Sequence, residues 1–139
     1  MKIVINSCYG GFGLSTKAMK AYIKRKYNKE LYVYSMAFNS DGNRVYTKEK
    51  DENKKDLWAI YTMTDQGDIV IKYLDDTYYF DDSQRTDPDL ITTIEEIGTD
   101  EASGYCANLK IIEIPDDVDW EIEEYDGYEE VHEKHRKWY

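Results

Sequence analysis

The chain is poor in cysteine and proline, and it has no long apolar run. It contains two cysteines and two prolines in 139 residues. No apolar stretch approaches the roughly 20 residues that a membrane span needs. The N-terminus also lacks the basic, then apolar, then small-residue pattern of a signal peptide. Two cysteines without a secretion signal indicate reduced thiols. These absences predict a cytoplasmic protein with no membrane partner.

Basic residues are also in short supply, because 18 Lys and Arg face 29 Asp and Glu, for a net charge of −11. Binding to a nucleic-acid backbone needs a face rich in Lys and Arg, so we expect no nucleic-acid partner. The charge is unevenly placed. Residues 1–29 hold seven basic residues and no acid, whereas residues 111–139 hold eleven acids and three basic residues. An acidic surface either imitates nucleic acid toward a basic protein or only keeps the chain soluble.

The length and the 41% hydrophobic content predict one domain over residues 1–139 with a single core. Turn-forming pairs at Asp41-Gly42, Gln66-Gly67 and Asp75-Asp76 separate short apolar runs. We therefore predict an α+β fold with a mainly antiparallel β-sheet and two or three helices packed on it. The predicted strands are Met1–Asn6, Glu30–Ser35, Leu57–Met63, Asp68–Lys72, Thr77–Phe80, Leu109–Ile114 and an alternating segment, 118–123.

Two helices carry clear boundary signals. Thr16–Asn28 has a periodic apolar stripe and follows Ser15, a favourable N-cap residue. Its many lysines predict a basic face that balances the acidic part of the chain. The second helix begins at Pro88 after the cap residue Asp87 and ends before Gly98.

The C-terminal segment predicts a third, short helix, because Tyr128, Val131, His135 and Trp138 recur at helical spacing. His132 and His135 would then share a face, where two imidazoles can bind a metal or transfer protons. Their spacing differs from the H-E-x-x-H zinc pattern, and further ligands would be needed. We therefore expect no metal and no cofactor, and a structural or ligand-contact role for these histidines.

The glycine-rich segment near the N-terminus is the main candidate for a binding site. Residues 6–15 contain Gly10, Gly11 and Gly13 and lie between the first predicted strand and the first predicted helix. A glycine-rich turn at that position can present backbone amides to an anion. The spacing matches neither the P-loop nor the dinucleotide-binding fingerprint.

The candidate site combines these amides with polar, aromatic and basic side chains. Such a set suits a nucleotide-like ligand, with its phosphate on amides and arginine and its base on a ring face. The alternative is that the glycines only permit positive φ, that Arg85 pairs with acids such as Asp82, and that the rings are core. The candidate ligand-binding residues are Asn6, Ser7, Tyr9, Gly10, Gly11, Phe12, Gly13, Arg85, His132, His135 and Arg136.

Three segments of the chain resemble a widespread family of small phage and prophage proteins. They are the sequence INSCYGGFGLS at residues 5–15, RTDPDLI at residues 85–91, and the stretch from residue 102 to residue 138 that includes EIPDDVDWEIEEYDG. The resemblance leaves residues 34–76 unmatched. It implies a phage accessory protein that acts in the host bacterial cytoplasm, with counter-defence as the expected role, and it assigns no catalytic residue.

Three functions from different classes follow. The first is a protein that sequesters a small anionic, nucleotide-derived ligand without turnover. The second is an acidic inhibitor that docks on a host defence protein, and the third is a small phosphodiesterase-like hydrolase that uses His132 and His135 as acid and base. A homodimer is a further option, because tyrosine is enriched in interfaces. The tyrosines concerned are Tyr73, Tyr78, Tyr79 and Tyr105.

Overall fold

The structure is a computed structural model that describes residues 1–54 and 59–134. The strands in these ranges are β1 (Lys2–Asn6), β2 (Tyr32–Phe38), β3 (Arg44–Lys48), β4 (Ile60–Thr62), β5 (Ile69–Ile71), β6 (Thr77–Tyr78), β7 (Leu109–Glu113), β8 (Trp120–Tyr125) and β9 (Tyr128–Glu133). The helices are α1 (Thr16–Tyr27), α2 (Pro88–Ile97) and α3 (Thr99–Ala102), and a 3₁₀ helix covers Asp82–Thr86.

All strand pairs are antiparallel, and they form three sheets. β1 pairs with β7, and β8 pairs with β9. The remaining strands form a five-stranded sheet in the order β5-β3-β2-β4-β6. The α+β prediction is therefore confirmed. None of the helices in the described ranges is long and apolar enough to cross a membrane.

The hydrophobic core lies where α1 and α2 pack over β1. Its fully buried members include Val4 from β1, Tyr22 and Ile23 from α1, and Leu90 and Ile94 from α2. The basic face of α1 is used for charge balance, but its acidic partners lie before the acidic segment 111–139. The salt bridges that join it to acids near or within α2 and α3 are Lys17–Glu101, Arg25–Glu96 and Lys26–Asp87.

The predicted ends of both main helices are confirmed. The Ser15 side chain accepts a hydrogen bond from the amide of Ala18, and Asn28 closes α1 in the left-handed conformation. Asp87 caps α2 by accepting from the amide of Asp89, and Pro88 occupies the first turn. These local signals held because each satisfies backbone groups that a helix end leaves unpaired.

The predicted C-terminal helix is wrong over residues 128–133, which form strand β9. The register brings Tyr125 opposite Tyr128, so Asp126 and Gly127 form a two-residue hairpin turn. Both have positive φ, 49° and 88°, as a type I′ turn requires. The Asp126-Gly127 turn thus determines the local structure, although the apolar residues that follow it have helical spacing. His135 and Trp138, which completed the predicted helix, lie outside the described residues.

The central strands were predicted incompletely. Arg44–Lys48 pairs with both β2 and β5 as strand β3, which the sequence did not predict, because Arg-Val-Tyr-Thr-Lys does not alternate apolar and polar residues. The predicted strand Leu57–Met63 is confirmed in part as β4, and residues 57 and 58 lie outside the described ranges. β3 matters for function because it forms part of the candidate site.

Candidate functional site

A cleft of about 720 Å³ separates the glycine-rich turn from the five-stranded sheet. We define the glycine-rich turn as residues 7–14, between β1 and the Ser15 cap of α1. One wall of the cleft is formed by this turn and Gly104. Most of the remaining lining, which we call the sheet wall, comes from β3, β4, β6 and the segments that flank them. The cleft therefore lies beside the backbone that the sequence singled out.

The amides at the centre of the turn are left without a protein partner. The amide of Gly10 donates to the carbonyl of Asp126 at 3.1 Å, and the carbonyl of Gly13 accepts from the amide of Gly104 at 2.9 Å. Within the described part of the chain, the amides of Gly11, Phe12 and Gly13 have no hydrogen-bond acceptor. All three residues line the cleft and are half-buried. Unsatisfied amides beside a cavity are suited to receive an anion.

Asn6 fixes the start of the turn. Its side-chain amide donates to the carbonyls of Cys8 and Gly127, each at 2.7 Å, and its carbonyl oxygen accepts from the amide of Asn108 at 2.8 Å. The residue is fully buried. The Ser7 hydroxyl donates to the carbonyl of Asn108 at 3.0 Å. Both predicted site residues hold the turn in place and do not line the cleft.

The hairpin of β8 and β9 packs against the glycine-rich turn. The contact is between the backbone of Gly127 and the backbone of Gly10 and Gly11. A Cβ atom built on Gly127 would lie 2.2 Å from the amide nitrogen of Gly11 and 2.7 Å from that of Gly10. No side chain fits there. Gly127 is therefore required both for its positive φ and for the close approach of the two turns.

A buried ion pair connects the same hairpin to the cleft. Glu129 on β9 accepts two hydrogen bonds from the guanidinium of Arg85, both at 2.8 Å, and a third from the amide of Asn6. Arg85 also donates to the carbonyl of Val4 and pairs with Asp82. Both partners of the main pair are more than nine-tenths buried. This arrangement fixes the position of Arg85.

Arg85 in turn supports the aromatic side of the turn. Its guanidinium carbon lies 3.6 Å from the centroid of the Phe12 ring, and Phe12 stacks on Phe80 with centroids 5.5 Å apart. The three residues line the cleft together. The charge of Arg85 is already balanced by Glu129 and Asp82, so its main role is to hold the Phe12 ring and close the base of the cleft.

The sheet wall supplies side chains, whereas the turn supplies backbone. Arg44 and Tyr46 come from β3, and Tyr61 and Tyr78 come from β4 and β6. Further aromatic rings come from Tyr73, Tyr79 and Tyr105. A cleft lined by several tyrosine rings is suited to stack on a planar group of a ligand.

The sequence missed the sheet wall because residues 34–76 lie outside the family resemblance and contain no recognised motif. Arg44 comes two residues after the Asp41-Gly42 turn, and this position at the start of a hairpin strand was the available signal. The turn signal does not show which strands line a cleft with the glycine-rich turn, because that depends on residues far apart in the chain.

The other predicted site residues lie away from the cleft or outside the described ranges. Tyr9 is exposed and packs against Tyr128, with ring centroids 5.5 Å apart. His132 lies on the outer face of the β8–β9 hairpin. The predicted positions His135 and Arg136 fall outside the residues that the structure describes. The cleft thus contains Gly10, Gly11, Phe12, Gly13 and Arg85 from the predicted set.

His132 is surrounded by carboxylates. Its Nε2 lies 2.9 Å from Glu130 and 3.5 Å from Glu123. The hydrogen bond to Glu130, together with the nearby charges of Glu123, Glu130 and Glu121, raises the pKa of His132 above its usual value.

Over residues 1–54 and 59–134, no group of three or more His, Cys, Asp or Glu could hold a metal ion.

Both cysteines lie near the turn as free thiols. Cys8 is half-buried and Cys106 is exposed. Gly10 packs on Cys106, because a Cβ on Gly10 would lie 2.5 Å from the carbonyl oxygen of Cys106. Gly10 is therefore required at this contact.

Comparisons with known proteins give no identity, because no protein-family model, no curated protein and no solved structure matches the chain. The resemblance to small phage proteins stays an expectation, and the function has to be argued from the cleft.

Proposed function

We propose that the protein binds a small anionic, nucleotide-derived ligand in the cleft and holds it without turnover. The single observation that carries this proposal is the cleft itself. It is lined both by Gly11, Phe12 and Gly13, whose amides have no acceptor among the described residues, and by tyrosines and Arg44. Amides and an arginine suit a phosphate, and the rings suit a base. The volume lies within the usual range for small-molecule sites, roughly 300–1,000 Å³.

Binding is favoured over hydrolysis by the chemistry of the side chains in the cleft. The titratable residues among the described lining are tyrosines, arginines and Asp82, and neither histidine nor cysteine is among them. A hydrolase would need a general base within hydrogen-bond reach of the reacting group, and the carboxylate in the described lining, Asp82, pairs with Arg85 at 3.2 Å. His132, one of the two residues of the hydrolase hypothesis, lies on the hairpin face and is bound by Glu130.

The biological role that we propose follows from the resemblance to phage proteins. A phage accessory protein of the host cytoplasm that captures a nucleotide signal would act as a counter-defence protein. Sequestration requires tight, stoichiometric binding and no catalysis. The proposal is consistent with the cleft, where the amides are preorganised by Asn6 and Gly127.

The test is a nucleotide panel added to the purified protein, with melting temperature and ligand integrity both measured. A ligand at 100 times its dissociation constant should stabilise the fold by about 2.7 kcal/mol, which raises the melting temperature by several degrees. We expect chromatography to recover the ligand intact. Loss of the ligand would support the hydrolase instead.

Gly11→Val tests whether the turn is the binding element. Gly11 has a φ of 109°, and a Cβ there meets no atom within 4 Å, so the cost is backbone strain at the amides. We expect the variant to fold and to lose nucleotide binding. Gly67→Val is the matched control, because Gly67 also has positive φ and open space but lies outside the cleft lining. Equal binding by both variants would contradict the proposal.

A second candidate function rests on the outer face of the β8–β9 hairpin. Glu121, Glu123 and Glu130 are exposed on this face beside Tyr125, which is 73% exposed. Such a face is suited to dock on a basic host protein with a steep salt dependence. Its test is capture of a host protein at low salt, which Glu121→Lys combined with Glu123→Lys should abolish.

A further inference from the structure

Two basic residues at one end of the cleft differ from most others in the molecule. Basic residues elsewhere in the described ranges commonly pair with a carboxylate, as Lys17, Arg25 and Lys48 do. Arg44 and Lys72 have no carboxylate oxygen within 4.0 Å among the described residues, and both are exposed. In a chain with a net charge of −11, two adjacent unpaired cations are a local exception.

The backbone holds these two residues side by side. The amide of Lys72 donates to the carbonyl of Arg44 at 2.7 Å, just beyond the register in which Val45 pairs with Ile71. Lys72 adopts a φ of 79°, so the chain turns there directly after β5. The pair therefore sits at a fixed end of the sheet wall.

A second, more open cavity of about 500 Å³ is lined by the pair together with Gly42, Asn43 and Tyr73. Arg44 and Tyr73 also line the main cleft, so the pair lies at the edge of that cleft.

Two groups in these cavities favour an anion. One is the set of unpaired amides at Gly11–Gly13, and the other is the pair Arg44 and Lys72. Arg85 adds little positive charge to either group, because Glu129 and Asp82 balance it. A ligand with a single phosphate can occupy only one of the two regions.

We propose that the ligand is a nucleotide with two phosphate groups, one held by the amides of the glycine-rich turn and the other by Arg44 and Lys72. This inference rests on the proposed function and specifies its ligand class. The tyrosines that line the main cleft then contact the nucleoside.

Calorimetric titration compares a nucleoside 5′-monophosphate with the matching 3′,5′-bisphosphate, for each of adenine, guanine, cytosine and uracil. For at least one base we expect the bisphosphate to bind the wild-type protein at least 10-fold tighter. In the double variant Arg44→Ala with Lys72→Ala, we expect the ratio of the two affinities to fall to about one. The control is Lys29→Ala with Lys110→Ala, which removes the same charge from exposed residues outside both cavities and should leave the ratio unchanged.

The outcomes separate the two proposals. If both nucleotides bind equally well, or if the ratio survives in the double variant, the inference is wrong while the proposed function stands. If neither nucleotide binds for any base, the proposed function fails and the inference fails with it. A ratio that falls in the control variant as much as in the double variant would show general charge attraction and would also overturn the inference.

Discussion

The glycine-rich wall of the cleft is held by buried contacts, whereas the sheet wall includes exposed side chains. Asn6, Gly127 and the Arg85–Glu129 pair hold the turn, and all are buried and hydrogen-bonded or closely packed. On the sheet wall, Arg44 and Tyr73 are exposed, although Tyr46 is buried. A change to the residues that hold the turn should therefore affect both stability and binding, and a change at an exposed residue of the sheet wall should affect binding alone.

The largest expected effect is at Glu129. Glu129→Ala leaves Arg85 buried with only Asp82 as an acidic partner, and breaking a buried pair in this way costs about 3–5 kcal/mol. Denaturant unfolding measures the loss. Glu133→Ala on the same strand is the control, and because Glu133 is exposed we expect a change within about 0.5 kcal/mol. Similar losses in both variants would remove the distinction between the two walls.

Gly127→Ala is expected to rank second. The added Cβ overlaps the amide nitrogens of Gly11 and Gly10, and overpacking typically costs about 1–3 kcal/mol in addition to backbone strain. Gly67→Ala is the control. It adds a Cβ at a similar positive φ, but that Cβ would meet no atom within 4 Å, so the variant shows the cost of backbone strain without the steric overlap. The difference in unfolding free energy between the two variants measures the contact. A difference near zero would mean that the turns are not held together as described.

A further prediction concerns Asp87, the N-cap residue of α2, and the pH dependence of the free energy of unfolding. Burial acts to raise the pKa of Asp87, but hydrogen bonds from Lys26, Tyr22 and the Asp89 amide outweigh it and hold the pKa below its usual value of 3.8. A lowered pKa contributes stability above the unfolded-state value, and this contribution is lost as the pH falls through the folded-state value. We expect Asp87→Asn to be less stable than the wild type at pH 7, with the gap narrowing below pH 4. A constant gap would contradict this assignment.

The smallest expected effect on stability is at Arg44. Arg44→Ala removes an exposed side chain that has no carboxylate partner among the described residues, so the free energy of unfolding should change by less than about 0.5 kcal/mol. Nucleotide affinity should fall about 10-fold, which corresponds to about 1.4 kcal/mol. Thermal unfolding and calorimetry on the same sample check both parts. A stability loss as large as that of Glu129→Ala would contradict the division between the walls.

The sequence predicted best those features that are decided within a few residues. Ser15, Asp87 and Pro88 set helix ends through their own side chains or rings, so their positions were readable. Gly10 and Gly11 were likewise predicted to lie in a turn between the first strand and the first helix, and both have positive φ. The C-terminal helix was predicted wrongly because the helical spacing of Tyr128 and Val131 was preferred to the turn signal of Asp126 and Gly127. The burial of Glu129 against Arg85 depends on residues far apart in the chain.

The sheet wall could not be predicted for a related reason. Arg44, Lys72 and the glycine-rich turn are separated by tens of residues, and their proximity depends on the order β5-β3-β2-β4-β6. Sequence patterns indicate that a strand exists but not which neighbour it pairs with. The predicted roles of Asn6 and Ser7 as ligand donors had the same weakness, because both residues bond to distant backbone at Asn108.

The most direct test of the account is the response of individual backbone amides to a nucleotide, followed by two-dimensional ¹⁵N–¹H NMR. We predict that the largest shifts on titration fall on the amides of Gly11, Phe12 and Gly13, with smaller shifts along β3. Shifts confined to the outer face of the β8–β9 hairpin, or no shifts with any nucleotide of the panel, would contradict the claim that the glycine-rich turn binds the anion.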